Sequence, residues 1–192
     1  MSPARRVLFL LASARRDGNT ERLARRAATG LSAAVAQDWV RLSDLHLPAF
    51  TDTRHDDGPG YTAPVGVVCE LLDATLAATD LVFVAPLYWY GLPASAKLYL
   101  DHWTDWLRVP GLDFKARMAG RTVWAISAYS DDDPATAEPL FGTLRLTSAY
   151  MGMRWGGSLL GRGNRPGDIE ADEAALSEAN MLFATGAGTQ DG

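Results

Sequence analysis

Short apolar runs alternate along the chain with longer segments in which apolar residues recur at helical spacing. This alternation is typical of a parallel sheet covered by helices on both faces. The short runs are continuously apolar, which predicts strands that are buried on both faces. They fall at residues 7–12, 39–42, 81–85, 122–127 and 153–160. The predicted helices span residues 20–36, 64–78, 93–107, 134–151 and 169–183.

Five strands that each lead into a helix predict an α/β fold, a single doubly wound five-stranded parallel sheet with flavodoxin-like strand order. With 192 residues and 47% hydrophobic content, the chain has enough apolar material for one such domain. We expect one flavodoxin-like domain to cover residues 1–183, and residues 184–192 to form a flexible tail. Ligands of such folds bind at the carboxyl ends of the strands, which directs attention to the loops 13–19, 86–91 and 128–133.

The loop after the first strand has the residue types of an anion site. Residues 13–20 read Ser-Ala-Arg-Arg-Asp-Gly-Asn-Thr and lead directly into a predicted helix. The first backbone N–H groups of a helix lack acceptors within the helix, and the helix dipole is positive there. Hydroxyls, an amide, a permissive glycine and a guanidinium add to this site, at Ser13, Arg15, Gly18, Asn19 and Thr20. The alternative is an ordinary helix cap at Asn19 or Thr20 with solvated arginines.

Other phosphate-binding motifs are missing from the sequence. Neither G-x-G-x-x-G after the first strand nor G-x-x-x-x-G-K-[ST] is present, which disfavours a Rossmann dehydrogenase and a nucleoside triphosphatase. A response-regulator receiver shares the fold, but it needs acidic residues after the first strand and an Asp after the third. This chain has Ser and Arg at the first place and Pro-Leu-Tyr at the second.

The loop after the third strand places three consecutive aromatic residues, Tyr88, Trp89 and Tyr90, where this fold presents a ligand. They cannot all point into one core, so we expect at least one to be half exposed unless a ligand or a second subunit covers it. A flat tricyclic ring such as isoalloxazine suits such a wall. The alternative is a hydrophobic plug between the strand and the next helix.

The helix predicted at residues 93–107 has many apolar side chains for a helix at the protein surface. Its apolar residues on and beside one face are Ala96, Tyr99, Leu100, Trp103, Trp106 and Leu107. We expect part of this face to contact a second subunit, which predicts a homodimer through the 93–107 helix. His102 lies among charged residues of the same helix and is expected at the surface or interface rather than in catalysis.

Charge and cysteine content narrow the class of partner. A formal charge of -5 without a basic run gives no support for a nucleic-acid or anionic-membrane partner. The single cysteine, Cys69, excludes an internal disulfide and a Cys-rich metal site, and within VVCELL we expect a buried structural thiol.

The early run VLFLLAS is interpreted as the first strand rather than a signal peptide. Without an apolar stretch of ~18 residues, the protein is expected to be soluble and cytoplasmic.

Two polar segments have more than one interpretation. Residues 45–62 are rich in Pro, Gly and Asp and form either a lid or a surface loop. Their two histidines, His46 and His55, make no metal-ligand spacing with a cysteine, so we expect no metal site. In the acidic run before Pro134, Asp133 is expected to cap the fourth helix rather than to act in catalysis or metal binding.

Two motifs in combination resemble the NADPH-dependent FMN reductase family. They are S-x-R-x-x-G-N-T after the first strand and P-L-Y-W-Y-G-L-P-A-S-A-K-L-Y-L-D-H-W after the third. The resemblance implies a dimer and noncovalently bound FMN, with its phosphate at Ser13, Arg15, Gly18, Asn19 and Thr20. It implies that the flavin ring lies against Pro86, Leu87, Tyr88, Trp89, Tyr90 and Gly91. A third flavin loop corresponds to Ser127, Ala128, Tyr129 and Ser130, although many relatives carry glycines in place of Ala128 and Tyr129.

The resemblance implies an FMN-dependent NAD(P)H oxidoreductase. NADPH or NADH would pass a hydride to the flavin, which would reduce a small acceptor such as a quinone, azo or nitro compound or free flavin. Two alternatives are a flavodoxin-type FMN electron carrier without nicotinamide turnover and a flavin-free interaction module that has kept the fold. Arg15 and the mild charge argue against the electron carrier. No nicotinamide-binding motif distinguishes NADH from NADPH.

Overall fold

Five parallel strands form one sheet in the computed structural model, which describes residues 4–55, 57 and 60–184. In chain order the strands are β1 Arg6–Leu11, β2 Ala36–Arg41, β3 Asp80–Val84, β4 Thr122–Tyr129 and β5 Arg154–Arg162. Their order in space is β2-β1-β3-β4-β5. The connections reverse direction between β1 and β3, which creates the switch point at which such folds bind ligands. The predicted doubly wound, flavodoxin-like topology is confirmed.

Helices cover both faces of this sheet. They are α1 Asn19–Ala28, α2 Gly66–Ala77, α3 Ala94–Trp106, α4 Phe114–Met118, α5 Glu138–Tyr150 and α6 Glu173–Met181. Successive strand residues point to opposite faces. Val7 and Phe9 of β1 pack in one core with α1 and α6, whereas Leu8 and Leu10 pack in the other with α2 to α5. The continuous apolar runs of the central strands therefore serve two separate cores.

The first helix is shorter than its apolar pattern predicts. It ends at Ala28 instead of residue 36, and β2 begins at Ala36 instead of residue 39. The chain turns at Gly30, where an added Cβ would lie 2.8 Å from the carbonyl oxygen of Asn180. Close packing against α6 therefore fixes a boundary that helix propensity alone does not.

The last two predicted helices each begin with a 3-10 turn. Pro134–Ala137 precedes α5, and Asp168–Ala171 precedes α6. The carboxylate of Asp133 accepts a hydrogen bond from the backbone N–H of Ala135, which confirms Asp133 as a cap. Its role is therefore local and structural.

A short helix that the sequence pattern does not predict changes the interpretation of α3. Phe114 of α4 packs edge-on against Trp103 and Trp106, with ring centroids 5.3 Å apart in both pairs. Trp103 is only 4% exposed, and Tyr99 and Trp106 are also buried. These rings therefore lie in the core of their own chain, and of the apolar residues expected on and beside one face of this helix only Leu100 and Leu107 are half-buried and left to contact a second subunit.

Part of the irregular segment 45–62 contacts α3, at Pro48 and Phe50. His102 is buried, and its Nε2 lies 3.0 Å from the carbonyl oxygen of Pro48. The ring of Phe50 packs edge-on against the imidazole. The expectation of a surface or interface His102 is wrong, since the side chain anchors this segment as a loop on the helix.

Three further expectations concern single features. Cys69 is half-buried, with its Sγ 3.9 Å from the carboxylate of Asp73, so the expected burial of the thiol is wrong. Residues 185–192 of the expected tail lie outside the described residues. Among the helices of the described ranges, none combines the length and the apolar character needed to cross a membrane.

Candidate functional site

The loops that follow β1, β3, β4 and β5 meet at the carboxyl edge of the sheet and enclose a cleft. The lining residues are Ser13, Arg15, Gly18, Asn19, Thr20, Pro86, Leu87, Tyr88, Ala128, Tyr129, Ser130, Gly163, Asn164 and Pro166. This set includes every residue predicted for the anion loop, together with residues from both other predicted loops. The sequence-predicted site residues are therefore brought together from three distant parts of the chain.

The loop after β1 has its polar groups arranged in advance. Ser13 and Thr20 are buried and line the cleft. The Oγ of Ser13 accepts a hydrogen bond of 3.1 Å from the backbone N–H of Arg15, which leaves its hydroxyl hydrogen free to donate. Because these donors meet the positive end of α1, the cleft favours an anion.

The start of α1 differs from the ordinary helix cap that the alternative interpretation expects. Gly18 is the N-cap residue and makes no side-chain cap, so the ordinary cap at Asn19 or Thr20 is not formed. Its φ is -71°, and the positive φ of this loop falls on Asp17, at 55°. Gly18 therefore contributes a bare backbone that a ligand can approach, rather than a left-handed turn.

A buried carboxylate, Glu21, holds the loop from behind. It accepts hydrogen bonds from Arg41 Nη2 at 2.5 Å and from the Asp17 backbone N–H at 3.1 Å, while Arg25 lies 3.4 Å away. Burial acts to raise the pKa of Glu21, but the hydrogen bonds from Arg41, Asp17 and Arg25 outweigh it and lower the pKa below 4.5. Arg41 also lies 3.4 Å from the carbonyl oxygen of Arg15. Glu21 is therefore a paired charge and not an uncompensated anion behind the loop.

The loop after β3 is a tight turn with two aromatic residues at its centre. Tyr88 and Gly91 exchange backbone hydrogen bonds, and φ is 50° at Trp89 and 64° at Tyr90. Such turn centres are normally Asn or Gly, since a left-handed φ costs a bulky residue ~1 kcal/mol or more. Trp89 is 95% exposed, and Tyr88 and Tyr90 are 44% and 53% exposed. The predicted exposure of this loop is confirmed, and it coincides with backbone strain.

Trp89 and Tyr90 line a second cleft that adjoins the first. The two clefts share Leu87 and Ser130, and their volumes are about 190 and 260 Å³. Each is smaller than the ~300 Å³ at which ordinary small-molecule pockets begin. A ligand of nucleotide size would therefore extend across both.

Two predicted flavin-contacting residues lie outside both clefts. Ser127 is fully buried in β4, and its Oγ has no hydrogen-bond partner within the described part of the chain. Gly91 closes the aromatic turn by pairing with Tyr88. These two residues support neighbours that do line the first cleft, Ala128 and Tyr88.

The fourth loop of the cleft, residues 163–167, is missed by the sequence analysis. Asn19 Nδ2 donates to the carbonyl oxygen of Arg165, and its Oδ1 accepts from the backbone N–H of Gly167, both at 2.9 Å. The amide that was expected to face an anion is therefore engaged within the protein. The available signal was the run G-N-R-P-G-D, which is rich in turn residues and follows the last strand.

The fold and the cleft define a doubly wound α/β protein with an anion-adapted ligand site at the switch point. Residues 5–182 match the flavodoxin-like fold family, and the chain belongs to that family.

Individual relatives cover nearly the whole chain. YwqN of Bacillus subtilis (strain 168), named as a candidate NAD(P)H-dependent FMN-containing oxidoreductase, is 32% identical over 179 residues, or 93% of this chain and 96% of YwqN. The structure of the Trp repressor binding protein from Bacillus subtilis is 27% identical with a TM-score of 0.72, covering 97% of this chain and 99% of that one. An FMN-dependent NADH-azoreductase from Bacillus anthracis, solved in complex with FMN, shares the fold at 15% identity with a TM-score of 0.65, covering 96% of this chain and 100% of that one. The family resemblance indicated by the two motifs is confirmed.

Proposed function

We propose that this protein is an FMN-dependent NAD(P)H oxidoreductase that reduces a small acceptor such as a quinone, azo or nitro compound or free flavin. The observation that carries the proposal is the meeting of an anion-adapted loop and an exposed aromatic turn in two adjoining clefts. The similarity to YwqN along nearly the whole chain supports it. In this proposal, residues 1–183 form one FMN-binding domain.

The first cleft fits the phosphate of FMN. Ser13 and Thr20 offer hydroxyl donors, and the start of α1 offers backbone N–H groups at Gly18 and Asn19. The exposed guanidinium of Arg15 can bind two phosphate oxygens through its planar fork. Because Glu21 is already paired with Arg41, it does not oppose the incoming negative charge.

The second cleft and the floor it shares with the first fit the flavin ring. Apolar and aromatic side chains of the turn after β3 offer a wall for one ring face, while the loop after β4 borders the ring edge. The residues proposed to contact or support the ring are Pro86, Leu87, Tyr88, Trp89, Tyr90, Gly91, Ser127, Ala128 and Tyr129.

When bound, FMN supplies the redox chemistry by accepting a hydride from NADPH or NADH and passing electrons to the acceptor. The protein contributes position and environment. The exposed rings of Trp89 and Tyr90 provide a surface on which flat aromatic reactants can stack. The donors around Ser13 and Arg15 would hold the phosphate, and the adjoining cleft with this aromatic surface would receive the rest of the ligand. No side chain is required as a nucleophile.

An anaerobic reduction experiment tests this proposal. We expect the protein reconstituted with FMN to lose its flavin absorbance near ~450 nm when NADH or NADPH is added, and to recover it when a quinone follows. Bleaching by dithionite but by neither nucleotide would instead identify an electron carrier. Failure to bind FMN would overturn both functions and leave a flavin-free module.

We further propose that the protein acts in the cytoplasm, where nicotinamide nucleotides are available, as a homodimer through α3 and the neighbouring α5. A groove between these helices is lined by Leu100, Leu107 and Tyr150, among others. Leu146 and Tyr150 are 74% and 63% exposed on α5, and such apolar side chains favour an interface. Sedimentation should show a dimer that Leu146→Glu dissociates. The matched control Met181→Glu, on the exposed face of α6, should remain dimeric.

A further inference from the structure

The turn at residues 163–167 closes the side of the first cleft formed by β5. Gly163, Asn164 and Pro166 line the cleft together with the anion loop. This turn belongs to neither of the two sequence motifs that indicate a flavin site. Asn19, at the start of α1, bonds to this turn and so places it beside the anion loop.

The turn is held rigidly from three directions. Asn19 bonds to the Arg165 carbonyl oxygen and the Gly167 backbone N–H, both at 2.9 Å. The carboxylate of Asp168 accepts hydrogen bonds from the backbone N–H groups of Asn164, at 3.1 Å, and Arg165, at 2.7 Å. The backbone N–H of Gly163 donates to the Tyr129 carbonyl oxygen at 2.8 Å. The shape of this wall is therefore set before any ligand binds.

Asn164 lines the cleft, whereas the amide of Asn19 is used within the protein. The hydrogen bond from Asn164 to Asp168 uses its backbone N–H, so the side-chain amide, which can donate, remains for a ligand. Asn19 is only 9% exposed, and both ends of its amide already bond to the turn. An added Cβ at Gly163 would lie 2.7 Å from the Asn19 Nδ2, so the two segments are in close contact.

We propose that the turn at residues 163–167 is a second wall of the phosphate site, in which Asn164 contacts the phosphomonoester of FMN. Asn19 is the positioning residue that sets this wall against the anion loop. The inference rests on the proposed function, because it assigns residues to the phosphate of the same ligand. It adds a ligand-binding segment after the last strand to the three loops that the sequence predicts for the flavin site.

Paired titrations with FMN and riboflavin test the role of Asn164, because the two ligands differ only by the phosphate. Quenching of flavin fluorescence should show Asn164→Ala binding FMN about tenfold more weakly, as expected for a lost hydrogen bond to a charged group, with riboflavin affinity unchanged. Arg165→Ala is the matched control, since Arg165 lies in the same turn but does not line the cleft. It should bind FMN within about twofold of the native protein.

The outcomes separate this inference from the proposed function. Unchanged FMN affinity in Asn164→Ala, or equal losses for FMN and riboflavin, would overturn the assignment to the phosphate. An equal effect of Arg165→Ala would show that general electrostatics, rather than a wall contact, attracts the ligand. A native protein that does not bind FMN would instead overturn the proposed function itself.

A double-mutant cycle tests whether Asn19 acts through the turn. If Asn19 only positions Asn164, Asn19→Ala should weaken FMN binding, and adding Asn164→Ala should cause little further loss. If the loss of FMN affinity in the double variant instead equals the product of the two single losses, Asn19 contacts the phosphate independently, which would overturn the positioning role. Gly163→Ala provides a second variant, since it keeps every hydrogen-bonding group while displacing the turn. It should reduce FMN affinity and spare riboflavin affinity, and equal losses would contradict the proposal.

Discussion

The loop after β1 and the turn after β3 reach the same edge of the sheet with opposite constructions. In the first, Ser13 and Glu21 are buried and already hydrogen-bonded. In the second, Trp89 and Tyr90 combine exposed rings with a left-handed backbone. The first loop is organised before its ligand arrives, whereas the second keeps an apolar surface that only a ligand or partner can cover. We therefore expect the first loop to determine affinity and the second to determine which reactants are used.

The largest expected effect comes from removing the charge behind the first loop. Glu21→Gln leaves the guanidinium of Arg41, whose side chain is 11% exposed, without its anion. Breaking a buried pair in this way should lower the free energy of unfolding by about 2–4 kcal/mol, measured by urea denaturation. Asp38→Asn, which breaks an exposed pair with Arg6, should cost less than about 1 kcal/mol. Similar losses of unfolding free energy in the two variants would show that the Glu21–Arg41 pair stabilises the protein no more than an exposed ion pair does.

The pH dependence of the Glu21→Gln effect follows from the lowered pKa of Glu21. A depressed carboxyl pKa contributes stability that is fully present above the ordinary value of 4.5 and is lost as pH falls through the lower folded-state pKa. The stability difference between the native protein and the variant should thus be constant near neutrality and shrink in acid. A difference that persists unchanged at strongly acidic pH would contradict the ion-pair explanation.

A smaller effect is expected when Arg15 is removed. Arg15→Ala should weaken FMN binding by ~1–3 kcal/mol, because a charge-assisted hydrogen bond to phosphate is lost. Unfolding should be unaffected, since the side chain is exposed. Arg16→Ala is the matched control, because Arg16 pairs with Asp44 and does not line the cleft. Equal FMN affinity of the Arg15 variant and the native protein, measured by fluorescence titration, would remove Arg15 from the phosphate site.

The smallest expected change in stability has the opposite sign. Tyr90→Gly relieves a positive φ of 64° and should stabilise the apoprotein by about 0.5–1 kcal/mol, while lowering kcat/KM for NADH or NADPH. Tyr90→Phe keeps both the ring and the strain, so it should match the native protein in each measurement. If Tyr90→Gly destabilised the protein or left turnover unchanged, the aromatic turn would not be a strained functional surface.

The sequence pattern predicts the fold well because burial on both faces leaves a strong local signal. The runs around Phe9 and Val82 are continuously apolar, and their alternate residues supply both cores. The anion loop is also recognisable, since it must directly follow such a strand. The strands and the anion loop can therefore be predicted from residues that are adjacent in the sequence.

The features that escape prediction depend on contacts between distant segments. The amide of Asn19 bonds to a turn 146 residues later, and nothing local marks that partner. The five residues of α4 are too few to show helical periodicity, yet Phe114 determines that Trp103 is buried. The same absence of local signal explains why the pairing of Glu21 with Arg41 is not foreseen.

The cleft is built from loops at four strand ends, spread from Ser13 to Pro166, so no short fragment of the chain contains the whole site. A ligand that binds there stabilises only the fully assembled chain, and at a concentration of 100 times Kd it adds about 2.7 kcal/mol. Flavin supply would then control how long each molecule escapes proteolysis in the cell. A shortage of flavin would reduce the abundance of the protein as well as its activity.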